Sequence, residues 1–486
     1  MTPAFNPADL WFLLPELAIA ALGILVLILD FATPGRDRAW LAGVSLAGLL
    51  VTGGLALQQA GISNPVLVFS GLHVVDQYAA FFKLVFLLSA AIVILLSVRF
   101  LKDQDVPQGE FYALILFATL GTMLMASAND LLSLFIGLET MSVCTYALCG
   151  FLKRDQRCSE GALKYLLMGA FSTGVILYGM VLLYGVAGST ELPVIARAVG
   201  ASGFRNPALV MAMVLLAAGF GFKIAAVPFH MYLPDMYEGA PTPVVAFMAG
   251  AAELAGVAIL VRVFLLGLPG LQADWSLLFW VLSVLTMTIG NIVAIAQANI
   301  KRMLAYSTIA HMGYILIGPV VASQLGVAAV LFYSLAYALM TIGAFGVVVL
   351  LTHGTVRGDQ IDDFTGLAQK HPLAAAIMLL FLLSLTGIPP TAGFVGKFYL
   401  FAAAVEAGYI WLVLIAVVNS AISLFYYMRV VTAMYMRDVP SGGIATSPSF
   451  ALNIALLLAA AGTLLLGIFP GPILELARAS AAVVGG

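Results

Sequence analysis

Five titratable side chains stand inside long apolar runs. Glu139 lies in SLFIGLETMSVCTYAL, Lys223 in AAGFGFKIAAVPFH, Glu253 in AFMAGAAELAGVAIL, His311 in AYSTIAHMGYILIG and Lys397 in SLTGIPPTAGFVGKFYLF. A lysine held in hydrocarbon costs at least ~2.5–3.5 kcal/mol on insertion scales. Both lysines fall beside proline-containing interruptions, and proline removes a backbone hydrogen bond that lipid cannot replace. The two costs make sense together only where such stretches line a polar interior enclosed by protein. Charged groups there must pair or neutralise. At ~4 Å and an effective dielectric of ~20, a Glu–Lys pair interacts by ~4 kcal/mol, or ~3 pKa units. Moving Glu139 relative to Lys223 therefore switches the lysine between holding and releasing a proton. The chemistry expected is proton translocation, with no bond-making catalysis.

Each residue also has a plainer reading. A buried Glu or Lys can staple helices, and one histidine can be satisfied by Ser or Tyr in the bundle. His230 is expected close to the inner surface. Asp235 and Glu238 read as loop solvation and helix capping beside Pro241, and the Tyr and Met stripes read as packing.

These residues need a membrane-spanning scaffold. The chain has 486 residues, of which 63% are hydrophobic and 9% charged, against roughly 25% charged in soluble domains. The apolar runs reach ~20 residues, the length of a transmembrane helix, whereas a barrel shows ~10-residue alternating segments. The expected fold is an all-α polytopic membrane protein. A net charge of −2 leaves no basic face for nucleic acid. Cys144, Cys149 and Cys158 form no CxxC pair, so neither a zinc site nor an iron–sulfur cluster is supported. GFGF at Gly219–Phe222 is not a dinucleotide loop, since a third glycine and a preceding strand are missing. The N-terminal run lacks a basic n-region and is too long for a signal core, so it reads as an uncleaved first span.

The apolar runs and their polar breaks give about fourteen spans, the seventh and twelfth interrupted. With the N-terminus outside, one side holds Arg36, Arg38, Arg99, Lys102, Lys153, Arg154, Arg157, Lys164, Lys301, Arg302, Arg357, Lys370, Arg429 and Arg437. The other side holds Arg197, Arg205, Arg262 and Arg478. Cytoplasmic loops are the Lys- and Arg-rich ones, so both termini are expected in the periplasm. Lys83, Lys223 and Lys397 remain. Lys83, about two turns inside the third span, is expected to snorkel to the outer interface.

Spacing suggests an internal repeat. Glu139 precedes Lys223 by 84 residues, and His311 precedes Lys397 by 86. An offset of five spans gives the two units opposite topology, as in transporters built from inverted repeats with broken helices. The expected division is residues 1–108 for spans 1–3, 109–267 for the first five-helix unit, 268–437 for the second, and 438–486 for the last span and tail.

The motifs GLETMSVCTYAL, SEGALKYLLMGAFSTGVILYG, GFKIAAVPFHMYLPDMYEGAPTPV, NIVAIAQANIKRMLAYSTIAHMGY and SLTGIPPTAGFVGKFYLF carry a resemblance. The sequence resembles the antiporter-like membrane subunits of proton-pumping NADH–quinone oxidoreductase, respiratory complex I. The likeness covers essentially the whole chain. PDMYEGAPTPV favours the N-type form over the M and L types, which usually have PDAH there. The resemblance implies Glu139 and Lys223 as a coupling pair and Lys397 as the proton-carrying lysine of the second break, joined along a water-filled axis. It implies M-like and K-like membrane neighbours, a peripheral arm, and a bacterial inner membrane. No cofactor is implied in this chain, with FMN, iron–sulfur clusters and quinone in partner subunits. One departure stands out: the family usually carries lysine where this chain has Glu253. Two alternatives remain: a subunit of a multi-chain Na⁺/H⁺ antiporter, and a structural subunit that has lost pumping.

Overall fold

The computed structural model describes residues 6–33, 38–62, 64–202, 206–352, 358–439 and 446–484. Arg36, Arg205 and Arg357 of the charge alternation lie outside them. Among the described residues, twelve continuous helices are long and apolar enough to cross a membrane. They are α1 (Leu14–Ala32), α2 (Trp40–Ala60), α3 (Gln77–Asp103), α4 (Gln108–Ser127), α5 (Leu131–Cys149), α6 (Gln156–Ala187), α8 (Thr242–Gly267), α9 (Pro269–Ile295), α10 (Ile300–Val321), α11 (Gln324–Leu351), α13 (Ile410–Met436) and α14 (Phe450–Ile468). The segments expected as spans seven and twelve are broken pairs. The first is α7a (Pro207–Lys223) and α7b (Tyr232–Gly239); the second is α12a (Pro372–Thr386) and α12b (Ala392–Glu406).

Several helices start where a short polar side chain can cap free backbone N–H groups. Asp76 accepts from Ala79 N, Asp130 from Leu132 N and Asn206 from Ala208 N. The ordering of the bundle follows from burial. Nearly every residue of α8, α10 and α11 is buried, whereas α6 and α13 each leave most of their residues partly or fully exposed. The first three therefore form the axis, and the last two face the surroundings. Glycines let helices close up where two backbones nearly touch. A Cβ on Gly137 of α5 would stand 2.9 Å from Met125 N of α4, and one on Gly313 of α10 would stand 2.6 Å from Met287 N of α9.

Several short elements lie between and after the spans. A hairpin, β1 (Val66–Val68) with β2 (His73–Val75), joins α2 to α3 with Val66 opposite Val75. Its turn needs positive φ at Phe69, Ser70 and Gly71. Short helices Leu192–Ser202 and Gly471–Ala481 follow α6 and α14. Backbone bridges His73–Ala128 and Asp130–Glu191 tie the hairpin, the α4–α5 link and the end of α6 together. We call this the hairpin end of the bundle.

Lys83 does not snorkel. It is fully buried, with Nζ 2.7 Å from Glu16 Oε1 and 2.9 Å from Gln59 Oε1. Burial is tolerated because a partner is present on the neighbouring helix. Arg262, read as a loop-side cation, is likewise buried, donating to both carboxylate oxygens of Asp76 at 2.9 and 3.0 Å.

Candidate functional site

Lys223 is the last residue of α7a. The helix stops because Ala225 takes a left-handed conformation (φ 52°) and Pro228 follows. The free Val227 N–H donates to Thr286 Oγ1 of α9 at 3.0 Å, so the break is satisfied by protein rather than lipid. Lys223 is buried, and its Nζ donates to Ser142 Oγ of α5 at 2.8 Å. Glu139 sits one turn before Ser142, but half-buried, accepting from Thr173 Oγ1 of α6 at 2.8 Å. No ion pair joins Glu139 to Lys223 in this arrangement. α5 brings both within a turn of each other, and the lysine takes the hydroxyl.

Glu253 is buried in α8, immediately after a π-helical stretch, Met248–Ala252. Its Oε1 accepts from Tyr237 OH of α7b at 2.5 Å, while Oε2 has no hydrogen-bond partner among the described residues. Glu253 forms no ion pair with Lys223. The lysine stem instead packs beside Gly256, one turn on, where a Cβ would stand 3.3 Å from Lys223 Cβ. Glu253 is thus joined to the far half of the broken helix rather than to the lysine.

In the second half, His311 is buried in α10 between tyrosines. Nδ1 lies 2.5 Å from Tyr333 OH and Nε2 3.3 Å from Tyr427 OH. Thr308, one turn earlier, accepts from Tyr337 OH at 2.8 Å, and Ser307 bonds Tyr427 OH. Asn291 of α9 accepts from Tyr426 OH at 2.9 Å. These tyrosines were read as packing; their hydroxyls instead supply a hydrogen-bonded lining. Nothing in their spacing distinguishes the two roles.

Lys397 lies in α12b, facing the end of α12a. That helix ends at Gly387 (φ 92°), leaving carbonyls without intrahelical donors. Lys397 Nζ donates to Leu385 O at 3.0 Å, Thr386 O at 2.9 Å and Ser420 Oγ at 2.9 Å, and stands 4.5 Å from the Tyr314 ring centroid. An ammonium has three donors, and all three are met here against a ring face and a negative helix end. Lys223, with one hydroxyl, is far less provided for.

At the end opposite the hairpin, Asp235 accepts from Lys164 and Arg302, each at 2.7 Å, and Arg302 also donates to Glu238 at 2.9 Å. Asp235 and Glu238 are therefore members of an ionic cluster rather than solvated loop caps. Half-buried His230 lies nearby in the α7 break. Among the described residues, no group of three or more His, Cys, Asp or Glu side chains is placed to hold a metal ion.

A nearly all-helical membrane bundle with two broken helices, each presenting a buried lysine, defines an antiporter-like chain. The family model described as NADH:quinone oxidoreductase/Mrp antiporter, TM, matches residues 128–423. The NADH-quinone oxidoreductase subunit N of Trichlorobacter lovleyi is 45% identical over 475 residues, 98% of this chain and 97% of that protein. The chain belongs to this family. A chain of respiratory complex I from Thermus thermophilus superposes with a TM-score of 0.81 at 33% identity, covering 95% of this chain and 98% of that one. A chain of the Mrp complex from Dietzia sp. superposes with a TM-score of 0.86 at 22% identity, covering 98% and 97%, which is a likeness of fold.

Proposed function

We propose that this chain is the proton-translocating, antiporter-like N-type subunit of a bacterial NADH–quinone oxidoreductase. It lies in the inner membrane with both termini in the periplasm, beside M-like and K-like subunits. Flavin, iron–sulfur and quinone chemistry belongs to partner subunits, and this chain converts their signal into proton movement. The observation that carries the reading is the pair of breaks, each meeting a buried lysine, with buried hydroxyls, Glu253 and His311 between them.

The roles follow from the contacts. Lys397 holds a proton as ammonium against the α12a carbonyls. His311 passes one between its two ring nitrogens, each of which faces a tyrosine hydroxyl. Glu253 accepts or returns a proton on its unpartnered Oε2. Lys223 shifts between Ser142 and Glu139, and approach of the carboxylate favours its charged form. At His311 the relay balances when a proton taken up at one ring nitrogen is matched by release of the proton on the other, each toward its facing tyrosine hydroxyl. Residues 109–267 and 268–437 act as inverted units; support for this comes from the paired breaks and from glycine contacts at both α4–α5 and α9–α10.

The test is Lys223→Ala in the assembled complex, with quinone reduction and proton pumping measured together. Pumping and turnover should fall about tenfold or more. Unchanged pumping per electron and unchanged rate, with assembly intact, defeat the reading. The likeness to an Mrp-complex chain favours a second reading, a subunit of a multi-chain Na⁺/H⁺ antiporter. Sodium-dependent proton exchange without NADH oxidation would select it. Retention of both break lysines argues against a subunit that has lost pumping.

A further inference from the structure

The titratable groups used above lie between α5 and α13. A second buried cluster lies outside residues 128–423, at the hairpin end. Glu16 is in the first turn of α1, Gln59 near the end of α2, Lys83 two turns into α3, and His73 on β2. Their relative exposures are 1%, 6%, 0% and 4%. Lys83 Nζ stands 2.7 Å from Glu16 Oε1, and His73 Nε2 stands 3.7 Å from the same oxygen. Among the described residues, Glu16 Oε2 and His73 Nε2 have no hydrogen-bond partner. A buried carboxylate with an oxygen left unpartnered, faced by an unpartnered imidazole nitrogen, costs stability that a simple staple need not incur.

Gln59 joins this cluster to the surface. Its Oε1 accepts from Lys83 at 2.9 Å, and its Nε2 donates to Phe12 O at 2.6 Å. The same side chain walls an open cleft of about 300 Å³ between α1 and α2, lined also by Trp11, Phe12, Pro15 and Gln58. On the inner side, Asp76 caps α3 and holds Arg262 at the end of α8, the helix that carries Glu253. Charged groups around His73 thus include Glu16 from α1, Lys83 from α3, and Arg262 from α8 with its paired Asp76 at the start of α3.

We propose that Glu16, His73 and Lys83 form a second proton-binding site, loaded from water at the hairpin end through the Gln59 cleft. The inference rests on the chain translocating protons. With Lys83 charged and Glu16 ionised, the pair is neutral. An arriving proton is accepted at His73 Nε2 and passed to Glu16, which becomes a neutral acid; His73 returns to its uncharged state. Burial first, then Lys83 and Arg262, hold the His73 imidazole well below its usual range, so it relays the proton rather than storing it. Protonation of Glu16 leaves Lys83 without a counter-charge, and this excess positive charge is felt by Arg262 at the end of α8.

The test uses the assembled complex in sealed vesicles, with a pH-sensitive dye and quinone reduction read together. The variants are His73→Gln, the double variant Glu16→Gln/Lys83→Met, and Lys223→Ala as reference. Both new variants should lower pumping about tenfold, and His73→Gln should change the pH profile of pumping, at normal assembly. A staple predicts that the double variant, which removes both charges together, assembles and pumps normally. That outcome, or normal pumping with an unaltered pH profile in His73→Gln, overturns the site. If the double variant does not assemble, His73→Gln decides, because Nε2 makes no hydrogen bond to lose. Slow Lys223→Ala with normal His73→Gln defeats only this site; normal Lys223→Ala defeats the translocation reading itself.

Discussion

The Tyr237 hydroxyl donates to Glu253 at 2.5 Å, so the axial carboxyl is held by the far half of the broken helix and not by Lys223. Any movement of α7b relative to α8 changes the number of donors facing a carboxyl that has one oxygen still unpartnered. Tyr237→Phe should therefore cost about 1–3 kcal/mol of local stability, the penalty for orphaning a buried acceptor. Pumping should slow about tenfold. Glu253→Gln should slow it as much, and the double variant no further, since the two residues form one unit. Wild-type pumping in Glu253→Gln would reduce the residue to packing. The measurement is proton translocation per electron in vesicles.

Ser142 is the side chain that Lys223 meets in this arrangement, one turn from the carboxylate it was expected to meet. If the lysine alternates between them, removing the hydroxyl biases it toward Glu139. Ser142→Ala should lower turnover about fivefold to tenfold, and Ser142→Thr, which keeps the hydroxyl, should retain most of it. Equal loss in both variants would point to crowding at the helix contact instead. Glu139→Gln should slow pumping without reducing assembly, because Glu139 is only half-buried and its contact is with Thr173.

The helices and the two breaks, each with a buried lysine beside it, were legible because their cost is local. A lysine in an apolar run beside proline is anomalous whatever surrounds it. The partners were not legible, because they come from other helices. Arg262 and Asp76 are 186 positions apart, and neither looks unusual alone. Lys83 lies near enough to the end of its span to reach the interface. Only the packing of α1, α2 and α3 turns it and Glu16 into a buried pair. The tyrosines around His311 failed for another reason. Tyr packs and hydrogen-bonds with the same side chain, so helical spacing cannot separate the two roles.

The Lys397 cradle depends on how closely α12b passes the end of α12a. Gly393 N donates to Ser384 Oγ at 3.1 Å, and a Cβ at Gly393 would run into the Ser384 carbonyl oxygen. Neither backbone can rotate away, so Gly393→Ala must separate the two halves. The three acceptors around Lys397 Nζ then move off together. The expected cost is about 1–3 kcal/mol of stability, seen as a lower melting temperature of the purified complex. Pumping should fall as far as in Lys397→Met. A normal melting temperature with normal pumping would show that the break tolerates a wider gap. Gly408, with nothing within 4 Å of its added Cβ but a φ of 84°, serves as a comparison for backbone strain alone.

His73 gives a stability prediction separate from pumping. Burial first, and then the positive charges of Lys83 and Arg262, hold its folded-state pKa well below the usual imidazole range. The unfolded chain therefore binds the proton more readily than the folded one. For a group depressed in this direction, the stabilising contribution is present above the unfolded value of about 6.5 and declines as pH falls through it. Hydrogen exchange in the β1–β2 hairpin and at the start of α3 should accelerate between about pH 7.5 and pH 5.5, after correction for the intrinsic exchange rate. His73→Gln cannot titrate and should flatten that dependence while leaving exchange in α10 and α11 unaltered. A hairpin whose protection is independent of pH in the wild-type chain would show that the imidazole is already free to take up protons, and that the charges of Lys83 and Arg262 do not reach it.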